Sequence, residues 1–243
     1  ASDADAVVLD LEDSVHPDAK DEARAMVARV LSGDRAVPVA IRVNADDTDW
    51  HLPDLAAILP ARPDALMLPK CDSPATLRRL SDRLDALEAA FGLSPGNVAI
   101  LPLVTETASA LADMAYGGVT PRLAGLCFAA EDLASDLGIE ARDGARMNPL
   151  LAHVRYRLAI SAAAAGVRAI DTPFPNPTLP EGLAAEAAEA AAAGYAGKLC
   201  IHPGQIAAVH QAFRPDPARI AWARAVVEAL GASTTGVAVV GRR

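Results

Sequence analysis

The sequence has few aromatic residues and few cysteines. Aromatic side chains make up only 4% of the 243 residues, so Ala, Val, Leu and Ile must build the core. The three cysteines, Cys71, Cys127 and Cys200, are an odd number and lack the spacing of a metal site. No Cys-His motif accompanies them, which disfavours a cysteine nucleophile. We therefore expect reduced thiols in a cytoplasmic protein.

Excess positive charge and long apolar runs are also missing. The formal net charge is −9, which argues against nucleic acid as a partner. No apolar run reaches the roughly 20 residues of a transmembrane helix, and the N-terminal segment 1–5 lacks the features of a signal peptide. We expect no membrane partner. The length suits one large core, so residues 1–243 are expected to form a single domain that includes the C-terminal helix and tail.

Strand-like and helix-like segments alternate along the chain. The expected strands are 6–13, 39–44, 65–70, 98–104, 123–128, 167–171 and 197–202, with a further candidate at 237–240. The expected helices are 18–31, 52–59, 73–91, 108–116, 149–165, 183–193, one after 203, and 216–230, while 133–147 reads as irregular. Such alternation is typical of a parallel sheet. No glycine-rich dinucleotide fingerprint follows the first strand, which disfavours a Rossmann fold.

Polar residues fall at the C-terminal end of nearly every expected strand. They are Asp10, Glu12, Asp13, Arg42, Asn44, Lys70, Glu106, Glu131, Asp132, Asp171 and His202. At one junction alone, acids that begin the next helix would be the simpler explanation. In a (β/α)₈ TIM barrel, however, all these ends converge on one face, where the active site lies. The recurrence therefore favours a barrel with a functional site.

Two of these junctions predict a metal site. The apolar run 98–104 leads into Glu106, and the run 123–128 leads into Glu131 and Asp132. Neighbouring parallel strands would aim Glu106 and Asp132 at one point. A pair of carboxylates with room for water suits Mg²⁺, with Mn²⁺ as the alternative ion, whereas zinc would require a His or Cys cluster.

An ordered set of motifs connects this chain to a known family. The motifs are Val8-Leu-Asp-Leu-Glu-Asp-Ser, Lys20 with Ala23-Arg24, Ile41-Arg42-Val-Asn44, Leu68-Pro-Lys70, Thr105-Glu106-Thr-Ala, Ala130-Glu131-Asp132-Leu and Gly197-Lys198-Leu-Cys-Ile-His202-Pro-Gly-Gln-Ile. In order and spacing they resemble the citrate lyase beta-subunit-like proteins of the HpcH/HpaI aldolase and malyl-CoA lyase superfamily. The resemblance covers nearly the whole chain and is specific for the superfamily, not for a substrate.

The resemblance implies a fold and an assembly. Its members are (β/α)₈ barrels, commonly trimers or multiples of trimers, so a homotrimer or hexamer is expected. Relatives usually begin with a strand–helix unit carrying an Arg-Ser…Phe-Val-Pro-Gly pattern, which is expected to be missing from this chain. They also continue past the position of Gly241 with a segment whose aspartate can serve as the base in a neighbouring subunit's site.

The resemblance also implies roles for single residues. Glu106 and Asp132 match the Mg²⁺ ligands, and Arg42 matches an arginine that contacts the thioester or enolate oxygen. Acids of the metal's outer shell match Glu12 and Asp13. Cations that face the phosphates of coenzyme A match Lys20 and Arg24. Lys70 is a further candidate for coenzyme A binding, although it could equally be a solvated strand end.

Together these residues predict a Mg²⁺-dependent carbon–carbon lyase. It would cleave or form a 3-hydroxyacyl-CoA thioester such as citramalyl-CoA, malyl-CoA or citryl-CoA through an enolate, so acyl-CoA and small keto acids are the expected partners. The bound metal would polarise the keto or hydroxy acid, and Arg42 would stabilise negative charge. Candidates for the base are Glu12, Asp13 and Asp171, besides the C-terminal acid of relatives.

Other functions and plainer roles remain open from sequence alone. The same site could serve an acyl-CoA thioesterase, a malate-synthase-like condensation, a free-pyruvate aldolase, or a subunit of a citrate lyase-type complex that needs an acyl-carrier partner. Arg42 could pair structurally with Glu12 or Asp13, and a structural role is favoured for Asp171. Lys20 and Arg24 could be plain surface. For His202, a hydrogen-bonded loop position is favoured over a base.

Overall fold

The computed structural model describes residues 3–231 and shows an α/β fold. Seven strands run parallel: β1 Val7–Asp10, β2 Val39–Arg42, β3 Ala65–Leu68, β4 Ala99–Pro102, β5 Gly125–Cys127, β8 Arg168–Asp171 and β9 Gly197–Lys198. The strands β6 Arg142–Asp143 and β7 Arg146–Met147 form a short antiparallel hairpin. The helices are α1 Lys20–Leu31, α2 His51–Ile58, α3 Pro74–Ala90, α4 Ala130–Leu137, α5 Pro149–Ala164, α6 Pro180–Ala192, α7 Ile206–Phe213 and α8 Pro217–Gly231.

The parallel strands are neighbours in chain order. β1 to β4 form one sheet, and β5, β8 and β9 form a second. Parallel bridges between Ile100 and Leu123 and between Leu103 and Cys127 connect β4 with β5. The chain thus repeats a unit in which a strand is followed by a helix and then by a parallel strand beside the first. This is the arrangement of a (β/α)₈ barrel, which confirms the fold class predicted from the sequence.

The two faces of the strands carry different parts of the core. Alternate side chains point to opposite faces of a strand. Leu66 and Leu68 on β3 belong to the large cluster beneath the helices. Between them, Met67 packs in a smaller cluster with Cys127, on the other face of the sheet. Short aliphatic side chains suffice for both layers, which is consistent with the low aromatic content.

Several helices begin where the sequence predicts. Ser73 caps α3, and its side chain accepts a hydrogen bond from the Thr76 N–H at 3.3 Å. The side chain of Asn148 caps α5 in the same way, at 2.9 Å from the Leu150 N–H. Each cap precedes a proline at the first helical position, where the missing N–H costs nothing.

Other expected elements were wrong or differ. The helix expected at 108–116 is only a 3₁₀ turn, Ser109–Ala112. The Asp113 side chain accepts a hydrogen bond from the Ala115 N–H, which competes there with helix formation. Asp18 is not a helix cap, because the His16 side chain accepts the Asp18 N–H and α1 begins at Lys20.

The segment from 133 to 147 is more ordered than expected, and the last strand is shorter. The segment holds most of α4 and the β6–β7 hairpin. β9 ends at Lys198 because its neighbour β8 ends at Asp171, before Pro173. The strand candidate at 237–240 lies outside the described residues. None of the helices in residues 3–231 is long and apolar enough to cross a membrane.

Candidate metal and substrate site

The end of β1 orients an arginine on β2. Asp10 and Arg42 lie opposite each other in the strand register. The two oxygens of Asp10 accept hydrogen bonds from Arg42 Nε and Nη2, both at 2.7 Å. The same carboxylate also accepts the backbone N–H groups of Glu12 and Ser14, at 2.9 and 3.1 Å. Asp10 therefore fixes both the guanidinium and the turn that follows β1.

Glu12 lies buried between two cations. Its Oε1 accepts a hydrogen bond from Lys70 Nζ at 2.7 Å, and its Oε2 lies 3.2 Å from Arg42 Nη1 without forming one. Burial raises the pKa of Glu12 above its usual value, although both cations oppose this. Asp13 is more exposed, at 3.7 Å from Arg42 Nη1.

Glu106 is a buried carboxylate at the end of β4. Its side chain accepts the backbone N–H of Lys70. Burial raises its pKa to about 8, and the negative charges of Asp132 and Glu12 contribute in the same direction. A buried acid surrounded by other acids is costly unless a cation compensates it.

Asp132 lies in the first turn of α4, beside Glu131. Two threonine hydroxyls hold this junction: Thr105 accepts the Ala129 N–H at 2.9 Å, and Thr172 accepts the Ala130 N–H at 3.1 Å. Since Thr105 directly precedes Glu106, the two expected metal ligands are connected through this contact. The acids at the start of α4 also suit the helix dipole, so this geometry is compatible both with a metal site and with simple stabilisation of the helix N-terminus.

The donor set fits Mg²⁺ better than a softer ion. Among residues 3–231, no group of three or more His, Cys, Asp and Glu side chains is arranged to bind a metal ion. Mg²⁺ typically takes one or two carboxylates and completes its octahedron with water and substrate oxygens. Glu106 and Asp132 offer such a pair. The role of both as metal ligands stays a prediction.

Lys20 and Arg24 are directed into the protein. Lys20 Nζ donates to Leu11 O, Glu12 O and Asn44 Oδ1 at 2.6, 2.7 and 2.8 Å. Arg24 Nε donates to the buried Asp54 at 2.7 Å. Both side chains are therefore buried, and neither is the plain surface residue considered from the sequence. Their contacts occupy donors that a phosphate would need.

A second buried ion network lies at the ends of β8 and β9. The carboxylate of Asp171 accepts hydrogen bonds from Arg155 Nε and Nη2, both at 2.9 Å, and from Lys198 Nζ at 2.6 Å. Lys198 also reaches Glu186 at 2.7 Å, and Glu186 continues the network to Arg142 at 3.1 Å. These contacts agree with a structural role for Asp171 and leave its carboxylate unavailable as a base.

Sequence reasoning did not identify this network. Apart from Asp171 and Lys198, its members lie on α5, α6 and the hairpin rather than at the ends of barrel strands. One signal was present: a charged residue at position 155 inside the apolar run of α5, where every neighbour at helical spacing is apolar. Likewise, Asp10 was recognised as a strand-end acid but not as the partner of Arg42.

The remaining candidates are the three cysteines and His202. Cys71 and Cys127 are buried free thiols, and burial raises the pKa of each to about 12, so neither is a thiolate near neutral pH. Cys200 is exposed. His202 Nδ1 accepts the Gly204 N–H at 3.1 Å, which agrees with a hydrogen-bonded loop histidine.

A parallel barrel with carboxylates and an arginine at its strand ends has the arrangement of a barrel enzyme, whose active site lies on that face. The family model described as HpcH/HpaI aldolase/citrate lyase matches residues 1–203. The chain belongs to this family, as its motifs indicated.

Its relatives differ in their stated activities. Citrate lyase subunit beta of Escherichia coli is 32% identical over 98% of this chain and 78% of the relative. Mitochondrial citramalyl-CoA lyase of Mus musculus is 31% identical over 93% and 69%. (3S)-malyl-CoA thioesterase of Cereibacter sphaeroides is 34% identical over 98% and 80%.

A solved structure supports the fold. CitE from Mycobacterium tuberculosis, in complex with magnesium, acetoacetate and coenzyme A, superposes with a TM-score of 0.75 at 30% identity. The match covers 98% of this chain and 85% of that chain.

Proposed function

We propose that this protein is a Mg²⁺-dependent carbon–carbon lyase that cleaves or forms a 3-hydroxyacyl-CoA thioester through an enolate. Citramalyl-CoA, malyl-CoA and citryl-CoA are the proposed substrates. One observation carries the proposal: Glu106, Asp132, Glu12 and Arg42 all lie at the carboxyl ends of parallel strands or directly beyond them, in a chain whose relatives include lyases of this type.

Glu106 and Asp132 would hold the metal. The burial of Glu106 and the acids around it make a negative charge on this carboxylate costly, and a bound divalent cation would relieve that cost. When bound, Mg²⁺ would polarise the oxygen of a keto or hydroxy acid. The magnesium, acetoacetate and coenzyme A bound by the M. tuberculosis relative support this assignment.

Arg42 would stabilise the negative charge of the enolate oxygen. Burial opposes its positive charge, but the hydrogen bonds to Asp10 outweigh this effect, so the pKa of Arg42 lies above its usual range. Nε and Nη2 are held by Asp10, which leaves Nη1 pointing toward Glu12 and Asp13. A guanidinium that is held in one orientation, with Nη1 directed into the site, suits a developing oxyanion.

Glu12 is the proposed base for the hydroxyl proton in cleavage. Its Oε2 is buried and makes no hydrogen bond among the described residues, so it can accept one from a substrate hydroxyl. The raised pKa of Glu12 makes this carboxylate a better proton acceptor than an ordinary glutamate. Asp13 is proposed to add negative charge beside Arg42.

Lys20 and Arg24 are assigned to the fold rather than to coenzyme A. Their contacts to backbone carbonyls, Asn44 and Asp54 join β1, α1 and α2. The homotrimer or hexamer expected from the sequence remains a prediction, since it concerns surfaces between subunits.

The test is Mg²⁺-dependent cleavage of (S)-citramalyl-CoA and malyl-CoA by the full chain. The wild type should release a 2-oxo acid as the thioester is consumed, and Asp132→Ala should abolish this. Asp82→Asn, an exposed acid on α3, is the matched control and should retain the wild-type rate. Release of a 2-oxo acid that is equally fast with Asp132→Ala would refute the metal assignment.

Thioester hydrolysis is the second candidate function. The 34% identity to a (3S)-malyl-CoA thioesterase favours it specifically. Loss of the thioester with release of free coenzyme A and no 2-oxo acid would select hydrolysis over carbon–carbon cleavage.

A further inference from the structure

Lys70 connects two acids of the site through two different parts of one residue. Its backbone N–H donates to Glu106 Oε2, and its ammonium donates to Glu12 Oε1 at 2.7 Å. The Glu12 side chain is only 5% exposed, whereas that of Lys70 is 51% exposed. Lys70 thus covers two buried carboxylates from the solvent side.

The backbone of Lys70 has an unusual conformation. Its φ is 50°, in the left-handed region that L-residues avoid. The other non-glycine residue with positive φ in the described chain is Arg62, which ends a short 3₁₀ helix, a common place for this conformation. Lys70 instead follows a strand, where such strain persists only if the surrounding contacts maintain it.

The left-handed turn has a geometric consequence. It directs the Lys70 N–H toward the Glu106 carboxylate while the side chain reaches back to β1 and Glu12. Glu12 is then held between Lys70 on one oxygen and Arg42 near the other. With the φ of an ordinary strand residue, the side chain would leave in a different direction relative to the N–H.

We infer that Lys70 is a positioning residue that fixes the Glu106 and Glu12 carboxylates relative to each other. This inference rests on the proposed function for the meaning of the site. It differs from the coenzyme A contact expected from the sequence, because the ammonium is already committed to Glu12. A phosphate contact and a positioning role predict different effects of the same substitutions.

The backbone part is tested with variants that all lack the ammonium. Glycine adopts positive φ freely, methionine with some cost, and a β-branched valine with the greatest cost. In calorimetric titrations with Mg²⁺, Lys70→Gly should bind most tightly, Lys70→Met less tightly, and Lys70→Val about 10-fold more weakly than Lys70→Gly. Equal Mg²⁺ affinities of the glycine and valine variants would overturn this part.

Arg62 provides the matched control. Arg62→Gly and Arg62→Val differ in the cost of a positive φ as the Lys70 variants do, but the hydrogen bond at position 62 is to Arg35 rather than to Glu12 or Glu106. They should differ from each other in unfolding by urea but bind Mg²⁺ with the same affinity. If they reproduced the Lys70 series in Mg²⁺ affinity, the effect would come from general destabilisation, and the inference would be wrong.

The ammonium part is tested without turnover. In a double-mutant cycle by urea unfolding, Lys70→Met and Glu12→Gln together should cost less stability than the sum of the single changes, because the two groups interact. Additive effects would overturn this part. Lys70→Met should also bind free coenzyme A within about 2-fold of the wild type, and a loss of binding of about 10-fold or more would establish the phosphate contact instead.

These measurements separate the inference from the proposed function. A wild-type protein that binds Mg²⁺ but cleaves no CoA thioester would refute the proposed activity, while the Lys70 series would still decide the positioning role. A wild type that binds no Mg²⁺ would overturn both.

Discussion

Asp10 determines the direction in which the Arg42 guanidinium points. Two hydrogen bonds of 2.7 Å hold Nε and Nη2, so the arginine reaches the site in one orientation. A lysine has a single ammonium on a flexible stem and lacks the rigid fork that holds both oxygens of Asp10 while it fixes a further donor in one orientation. This difference makes Arg42 the residue at which a conservative substitution should be least tolerated.

Arg42→Lys should therefore lower kcat by about 100-fold, the scale of losing one oriented oxyanion donor. Steady-state kinetics with malyl-CoA would measure this effect. Arg35→Lys is the control: Arg35 also pairs with an aspartate, Asp64 at 2.7 Å, and its side chain is 24% exposed like that of Arg42. A wild-type kcat for Arg42→Lys would show that the guanidinium does not stabilise the reacting oxygen.

His51 should make stability depend on pH. Its Nδ1 lies 2.7 Å from the Asn44 carbonyl, so Nδ1 carries the proton, while Nε2 is buried without a hydrogen-bond partner among the described residues. Burial lowers the pKa of His51, with Arg83 acting in the same direction and Asp46 and Asp54 against it. As the pH falls below about 6.5, the unfolded chain takes up a proton that the folded protein does not bind, so stability decreases.

His51→Asn keeps a donor for the Asn44 carbonyl but cannot titrate. Between pH 7.5 and 5.5, the free energy of unfolding of the wild type should fall relative to that of the variant, by up to about 1.4 kcal/mol per pH unit. Urea unfolding at several pH values measures both. Parallel pH profiles of the two proteins would contradict the lowered pKa.

At the scale of elements, buried ion pairs join β8, β9, α5 and α6. Asp171, Lys198 and Arg155 are nearly or fully buried and satisfy one another. Removing one charge from such a cluster leaves the others uncompensated in a medium of low polarity. This part of the barrel should therefore depend on each member of the cluster.

Asp171→Ala should lower the free energy of unfolding by about 3–5 kcal/mol. Glu189→Ala should cost less than about 1 kcal/mol, because Glu189 meets the same arginine from a largely exposed position at 3.5 Å. Denaturant unfolding of the two variants compares them directly. Equal losses of unfolding free energy in the two variants would mean that burial does not determine how much each ion pair stabilises the protein.

The sequence predicted elements well where local signals agreed. The caps Ser73 and Asn148 precede prolines and long apolar patterns, and their helices begin there. It failed at 108–116, where the Asp113 side chain accepts the Ala115 N–H that a helix would have used. An aspartate is also found inside helices, so its presence in the sequence did not reveal this competition.

The candidate site shows the same division. That acids gather at the strand ends was readable from the sequence, because the carboxyl ends of parallel strands share one face. The inward direction of Lys20 and Arg24 could not be read from the sequence, since a pair of cations four residues apart is equally common on a solvated surface. Their direction depends on Asn44 and Asp54, which accept their hydrogen bonds from other parts of the chain.

For the whole molecule, we propose that the barrel mouth stabilises an enolate. The family, the parallel strand order and the grouping of Glu12, Arg42 and Glu106 support this proposal. Lyase chemistry requires the enolate, whereas simple thioester hydrolysis does not. A measurement of the enolate itself is therefore more direct than a rate of thioester loss.

That measurement is exchange of the methyl protons of acetyl-CoA with D₂O, followed by NMR with the full-length protein and Mg²⁺. We expect exchange that needs Mg²⁺ and disappears in Asp132→Ala. Loss of the thioester without any exchange, or exchange that persists unchanged in Asp132→Ala, would contradict it.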